Sequence, residues 1–144
     1  LVMDAAEHDR LVAAISHLPY LQAASLATVA GAQSAGDPRA WQLAASGFRD
    51  TARLAASDVD MMLDILMTNR ANVAGLARQT AGWLSALAQA LDTDDEAAAR
   101  HALGLAHGAI LEYRLARRPD AAPDSAAPGG PAVCQHGEEK HSTE

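Results

Sequence analysis

Aromatic side chains are scarce in this sequence: one Phe, two Trp and two Tyr make up 3% of its 144 residues. A core must therefore be built from Ala, Leu, Met, Ile and Val, and apart from the β-branched pair these favour packed helices over a sheet. Cysteine is scarcer still. Cys134 stands alone, which excludes an internal disulfide and fits a reducing compartment, so a cytoplasmic location is expected. No run of roughly 18 apolar residues is available to span a bilayer, and no basic-then-apolar leader opens the chain, so a soluble protein is expected. A basic stripe is missing too. The formal charge is −7, and because five acids face Lys140 alone from Pro119 onward, 13 acids and 10 bases remain in the body. Without positive charge to neutralise phosphates, neither a nucleic-acid nor an anionic-membrane partner is expected.

What is present is a chain that is 49% hydrophobic, at a length that suits one domain with a real core. It begins at Leu1 and reads as helix almost at once, so a fragment of a longer protein is expected.

From Asp4 to about Ala32, Leu11, Ile15, Leu18, Leu21, Leu26 and Val29 recur mostly at three- and four-residue steps, the period of one buried helical face. Pro19 falls inside this helix, where it removes an amide and crowds the carbonyl of Ile15, so a kink is expected. Gly31 and Gly36 loosen the chain before Asp37-Pro38, an N-cap followed by proline at the first helical position. The second helix carries Trp41 and Leu43 and is expected to break or bend at Gly47, ahead of a short turn through Phe48, Thr51 and Leu54.

Ser57 or Asp58 caps a longer apolar stretch from Met61 to Leu91, read as one helix bent near Asn69 to Asn72. Thr93 to Glu96 reads as a capping box, with the threonine hydroxyl accepting from the third helical amide. A final helix follows to about Arg118. The segment 119–144, rich in Pro, Ala, Gly and charge, buries too little apolar surface to offset its ordering entropy and is expected to be a disordered tail. The expectation is an all-α protein of long kinked helices in a dimeric bundle, with one helical domain over 1–118. The Met- and Leu-rich face from Met61 to Leu91 is the surface expected to need a partner.

Polar residues in this frame carry the candidate chemistry. His8 and His17 stand in the first helix, and at 100° per residue His17 lies within ~20° of a line through Arg10 and Leu21, with Tyr20 on a neighbouring stripe. His17 and Tyr20 can thus face one pocket; the ordinary alternative is a partly buried helix histidine satisfied by a neighbour. In Gly47-Phe48-Arg49-Asp50-Thr51-Ala52-Arg53, a glycine lets backbones approach and Arg53 can present a planar fork to a carboxylate. Its ordinary alternative is a surface pair with Asp50. His101 and His107 lie about 240° apart around a helix, and the Cys134-Gln135-His136 group with His141 lacks a second pair at finger-like spacing, so no metal site is expected.

In combination, His8-Asp9-Arg10, Ser16-His17-Leu18-Pro19, the run from Gly47 through Arg53 to Asp58, Asp64-Ile65 and Asn69 resemble prephenate dehydrogenase, over roughly Asp4 to Leu91. The resemblance implies an enzyme of tyrosine biosynthesis in which an N-terminal Rossmann domain binds NAD or NADP. A helical C-terminal domain forms the homodimer and closes the substrate site, and prephenate is oxidatively decarboxylated to 4-hydroxyphenylpyruvate. Residue by residue it implies that Arg53 binds a substrate carboxylate and that His17 lines the same pocket with Tyr20. His8, Asp9, Ser16, Gly47, Phe48 and Asp50 would support them. Where many members have a second histidine after the proline, this chain has Tyr20, which leaves prephenate and arogenate both open as substrates. The nucleotide fingerprint GxGxxG after a strand is missing from all 144 residues, so the Rossmann domain and the family's catalytic histidine are expected to be absent from this chain, which alone is expected to be inactive. A stand-alone helical dimerisation or regulatory module without catalysis is the alternative from another class.

Overall fold

A computed structural model describes residues 2–117, which are helical with no strand among them. The tail expected from 119 onward lies outside the described residues. Two compact units divide the chain, the first running to Arg100 and the second beginning at His101.

Within the first unit, α1 (Ala5–Val12) starts where the Asp4 carboxylate accepts from the Glu7 amide at 2.9 Å, satisfying one of the first-turn donors that have no intrahelical partner. A π-helical turn, Ala13–His17, joins it to α2 (Leu18–Gly36). Here the structure answers the Pro19 problem. The Leu18 amide reaches back five residues to the Ala13 carbonyl, so the helix is re-phased just before the proline, and Pro19 falls in the first turn of the new α segment. Inside a first turn a missing N–H costs little, which is why the widened turn stands where proline would otherwise break the ladder. Further on, α2 passes through Gly31 and has Gly36 as its last residue, so of the two glycines only Gly36 marks a break before Asp37.

Asp37 caps the next element, as its sequence position predicts, but that element is a 3-10 turn, Pro38–Leu43, rather than an α-helix. The break then comes at Ala44 and Ala45, both extended, ahead of Gly47. Gly47 lies inside α3 (Ser46–Ala52), and a Cβ added to it would meet nothing within 4 Å, so the expected close backbone approach at this glycine is not made within the chain. Trp41 and Phe48 span the break instead, their ring centroids 5.6 Å apart and tilted by 56°, within the range of favourable aromatic pairs. A second 3-10 turn, Arg53–Ala56, completes the segment.

The Asp58 carboxylate accepts from the Met61 amide at 2.8 Å and opens α4 (Val59–Thr68). Asn69 leaves helical geometry (φ −111°, ψ 28°) and separates α4 from α5 (Arg70–Asp92), so the expected bent helix is two helices. The expected capping box at Thr93 is not formed. Thr93 still belongs to the end of α5, where its hydroxyl donates to the Gln89 carbonyl at 2.9 Å. The cap of α6 (Glu96–Ala116) is Asp95, whose carboxylate accepts from Ala98 at 2.9 Å after Asp94 turns the chain at φ 53°. The hydroxyl back-bonding to a finished helix turn wins over capping the next one.

Packing in the first unit rests on small residues. α2 lies against the Arg53–Ala56 turn, α3 and α5, and the π turn lies against α5. Ala13 and Ala23, both fully buried, let these backbones approach, and Val73 and Ala90 are the other buried apolar residues. Among the described residues no large side chain is fully buried, while Met61, Leu63, Met67, Trp83, Leu84 and Leu91 are all exposed. In the second unit, α6 leaves Leu105, Ile110, Leu111 and Leu115 exposed as well. So much uncovered apolar surface is uncommon in a monomer.

Candidate functional site

His17 is the last residue of the π turn and is only 9% exposed. What satisfies it comes from 52 residues away: the side-chain nitrogen of Asn69 lies 3.5 Å from its Nδ1. The same Asn69 Nδ2 donates to the Asp9 carbonyl at 2.6 Å, and Asn69 Oδ1 accepts from Asn72 Nδ2 at 2.8 Å. Asn69 can occupy this point because it is the irregular residue between α4 and α5, and it is 7% exposed. A buried polar side chain is costly unless its hydrogen bonds are made, and here they are.

This network ties α1, the π turn and the start of α5 into one knot. Beside it opens a cleft of about 470 Å³ of mixed polarity, lined by Asp9, Arg10, Thr68, Asn69, Arg70 and Asn72 together with Ala6 and Ala71. On the other side of the π turn, an apolar groove of about 290 Å³ runs between α2 and α5, lined by Leu18, Leu21, Gln22, Thr80 and Leu84 among others. Tyr20, in the first turn of α2, is half-buried.

Arg53 opens the second 3-10 turn, which packs against α2. Its side chain is exposed and lines neither cavity. Among the described residues it forms no salt bridge, so the surface pair with Asp50 is not made. The guanidinium is left available for an anion. Gly47 and Asp50 are exposed, and Phe48 is half-buried against Trp41. Ser16 is exposed in the π turn. His8 Nδ1 lies 3.1 Å from the carboxylate of Asp9 at the surface.

The structure therefore joins Asp9 to His17 through Asn69 and holds the Arg53 turn against the helix that begins after His17. No hydrogen bond links Arg53 or Tyr20 to His17 among the described residues. Sequence reasoning placed Asn69 in a motif without giving it a role. Its signal was two asparagines three residues apart at a helix break in an otherwise apolar stretch.

An ionic pair with perturbed groups lies elsewhere. Arg39 grips the Asp37 carboxylate with contacts of 2.7 to 3.1 Å. These bonds, with the Arg39 amide, hold the Asp37 carboxyl below its ordinary value and raise the guanidinium further. Among the described residues no group of three or more His, Cys, Asp or Glu stands close enough to hold a metal ion, and no helix is long and apolar enough to cross a membrane.

Comparison with known proteins places this architecture. Residues 4–104 match the family described as the dimerization domain of prephenate dehydrogenase. Prephenate dehydrogenase of Lactococcus lactis is 35% identical over 69 residues, 48% of this chain and 20% of that protein. That of Bacillus subtilis is 40% identical over 68 residues, 47% of this chain and 18% of that protein. The chain thus spans about a fifth of the length of these relatives. The crystal structure of Synechocystis arogenate dehydrogenase superposes with a TM-score of 0.72 at 26% identity, covering 78% of this chain and 41% of that one. With its strand-free helical order and a match that runs from the cap of α1 into α6, the chain belongs to the prephenate dehydrogenase dimerization-domain family.

Proposed function

We propose that this chain is the C-terminal part of an NAD(P)-dependent prephenate dehydrogenase of tyrosine biosynthesis, supplying substrate-carboxylate binding and the homodimer interface. Prephenate would be oxidatively decarboxylated to 4-hydroxyphenylpyruvate by the assembled enzyme. The observation that carries the reading is Arg53: a guanidinium with no salt bridge among the described residues, on a turn held against the helix that begins beside the buried His17. A planar five-donor fork binds a carboxylate through two parallel charge-assisted hydrogen bonds, fixing orientation as well as adding affinity. Arg53 positions the substrate and transfers no proton. His17 and Tyr20 would face the same substrate, the phenol as a donor or acceptor. Asp9, with His8 and Ser16, supports the histidine side of the site, and Gly47, Phe48 and Asp50 support the arginine side.

This chain's residues do not fit a dinucleotide, because no glycine-rich turn comes after a strand to cradle its phosphates. The hydride-accepting chemistry of NAD or NADP is assigned to a Rossmann domain outside this chain, and the chain alone is inactive. Arogenate, the amino counterpart, is a second reading, supported by the likeness to the Synechocystis arogenate dehydrogenase and by Tyr20 in place of a second histidine. Steady-state kinetics of the protein joined to its nucleotide-binding half test both. Reduction of NAD or NADP with prephenate or arogenate is expected, and the higher kcat/KM names the substrate. Absence of turnover with either one contradicts the proposal and leaves a non-catalytic dimerisation module.

A further inference from the structure

We infer that Asn69 is a positioning residue that fixes the ring tautomer of His17, an assignment that rests on the proposed substrate-facing role of His17 only for its consequence, not for its geometry. The amide orientation of Asn69 is set by chemistry. The Asp9 carbonyl can only accept, so the atom 2.6 Å from it is the NH2 group. That same nitrogen lies 3.5 Å from His17 Nδ1 and has a second hydrogen to offer it. Asn69 Oδ1 meanwhile accepts from Asn72 Nδ2 at 2.8 Å, which opposes a flip of the amide.

A donor aimed at Nδ1 requires a lone pair on that nitrogen. The single ring proton of neutral His17 therefore sits on Nε2, and a second proton on Nδ1 would face an N–H group at close range. Asp9 contributes only its main-chain carbonyl to this knot. Its carboxylate is turned to His8 at the surface, 3.1 Å from Nδ1 of that ring. His17 thus offers an Nε2–H donor, suited to a carboxylate or carbonyl oxygen of the substrate. The π turn adds to this, since it holds His17 at its end and rotates the ring relative to the α-helical register.

The test is two-bond nitrogen–proton correlation spectroscopy of the histidine rings, on the full 144-residue chain with labelled histidine and no substrate. His17 is expected to show the Nε2–H pattern alone, without the averaging of a free imidazole. In Asn69→Ala the donor is removed, and the His17 ring is expected to average between its two tautomers. An averaged pattern for His17 in the parent chain overturns the inference, as does an unchanged Nε2–H pattern in a folded N69A. If N69A does not fold, the parent spectrum still decides. A separate measurement, the effect of His17→Ala on KM in the assembled enzyme, bears on the substrate role. A fixed Nε2–H tautomer with an unchanged KM would support the Asn69 assignment and sink the substrate reading of His17.

Discussion

Asn69 offers the sharpest forecast of stability, because among the described residues its side chain makes the side-chain hydrogen bonds that join α1 and the π turn to the start of α5. Replacing it with Ala removes the bonds at 2.6 and 2.8 Å and the longer contact at 3.5 Å. Each short bond contributes about 1 kcal/mol net, and leaving His17 Nδ1 unmatched costs about 1 kcal/mol or more further, while the Asp9 carbonyl keeps the Ala13 amide as a donor. A loss of about 2–4 kcal/mol is expected. Asn72→Ala removes only one part-buried bond and should cost about 0.5–1.5 kcal/mol. In the double variant the two costs should fall short of their sum, since Asn72 has already lost its partner in Asn69→Ala. Urea unfolding followed by far-ultraviolet circular dichroism reads this, at one fixed protomer concentration because dimer stability depends on it. With a urea dependence of about 2 kcal/mol per molar, the midpoint of Asn69→Ala should fall by about 1–2 M. A loss under about 1 kcal/mol, or costs that simply add, would refute the account of the knot.

Three other outcomes are expected from single features. Asp58→Ala removes the cap on the Met61 amide and should cost about 1 kcal/mol in the same urea experiment; no change would mean that the helix start is held otherwise. The Asp37 carboxyl has a folded pKa depressed below its ordinary 3.8, so its contribution is fully present above that value and is lost as pH falls through the depressed one. Carboxyl-carbon resonance titration should place its midpoint below 3.8 in the parent chain and return it toward 3.8 in Arg39→Ala; equal midpoints would refute the pairing. The exposed Met, Leu and Trp side chains of α4 to α6 should keep the chain dimeric through a dilution series followed by light scattering, and a monomer at every micromolar concentration would contradict the dimer.

Local chemistry made much of the fold legible. Three- and four-residue apolar spacing marks the helices, and Asp37-Pro38 and Asp58 mark two of their starts, because a cap is decided by residues within one turn of itself. The π turn was not legible: Pro19 announces a disturbed helix, but whether the chain kinks or re-phases depends on α5 packing against Ala13–His17. The start of α6 was misplaced by two residues, since the hydroxyl of Thr93 can serve either the helix behind it or the one ahead. Asn69 was out of reach for a stronger reason. Its partner Asp9 lies 60 residues away, and periodicity carries no information about contacts at that separation. Arg53, by contrast, was singled out by its motif, and the structure adds that Asp50 does not occupy it.

The most direct test of the central claim is the kinetics of Arg53→Lys and Arg53→Ala in the assembled two-domain enzyme. Loss of a bidentate, charge-assisted pair worth about 1.5–3 kcal/mol should lower kcat/KM for the preferred substrate by roughly 10- to 150-fold in Arg53→Ala. The drop should come mainly through KM, and Lys should restore it only in part because a point charge cannot reproduce the fork. A kcat/KM within about twofold of the parent for Arg53→Ala, in an enzyme of unchanged stability, would contradict the claim that this chain binds the substrate carboxylate through Arg53.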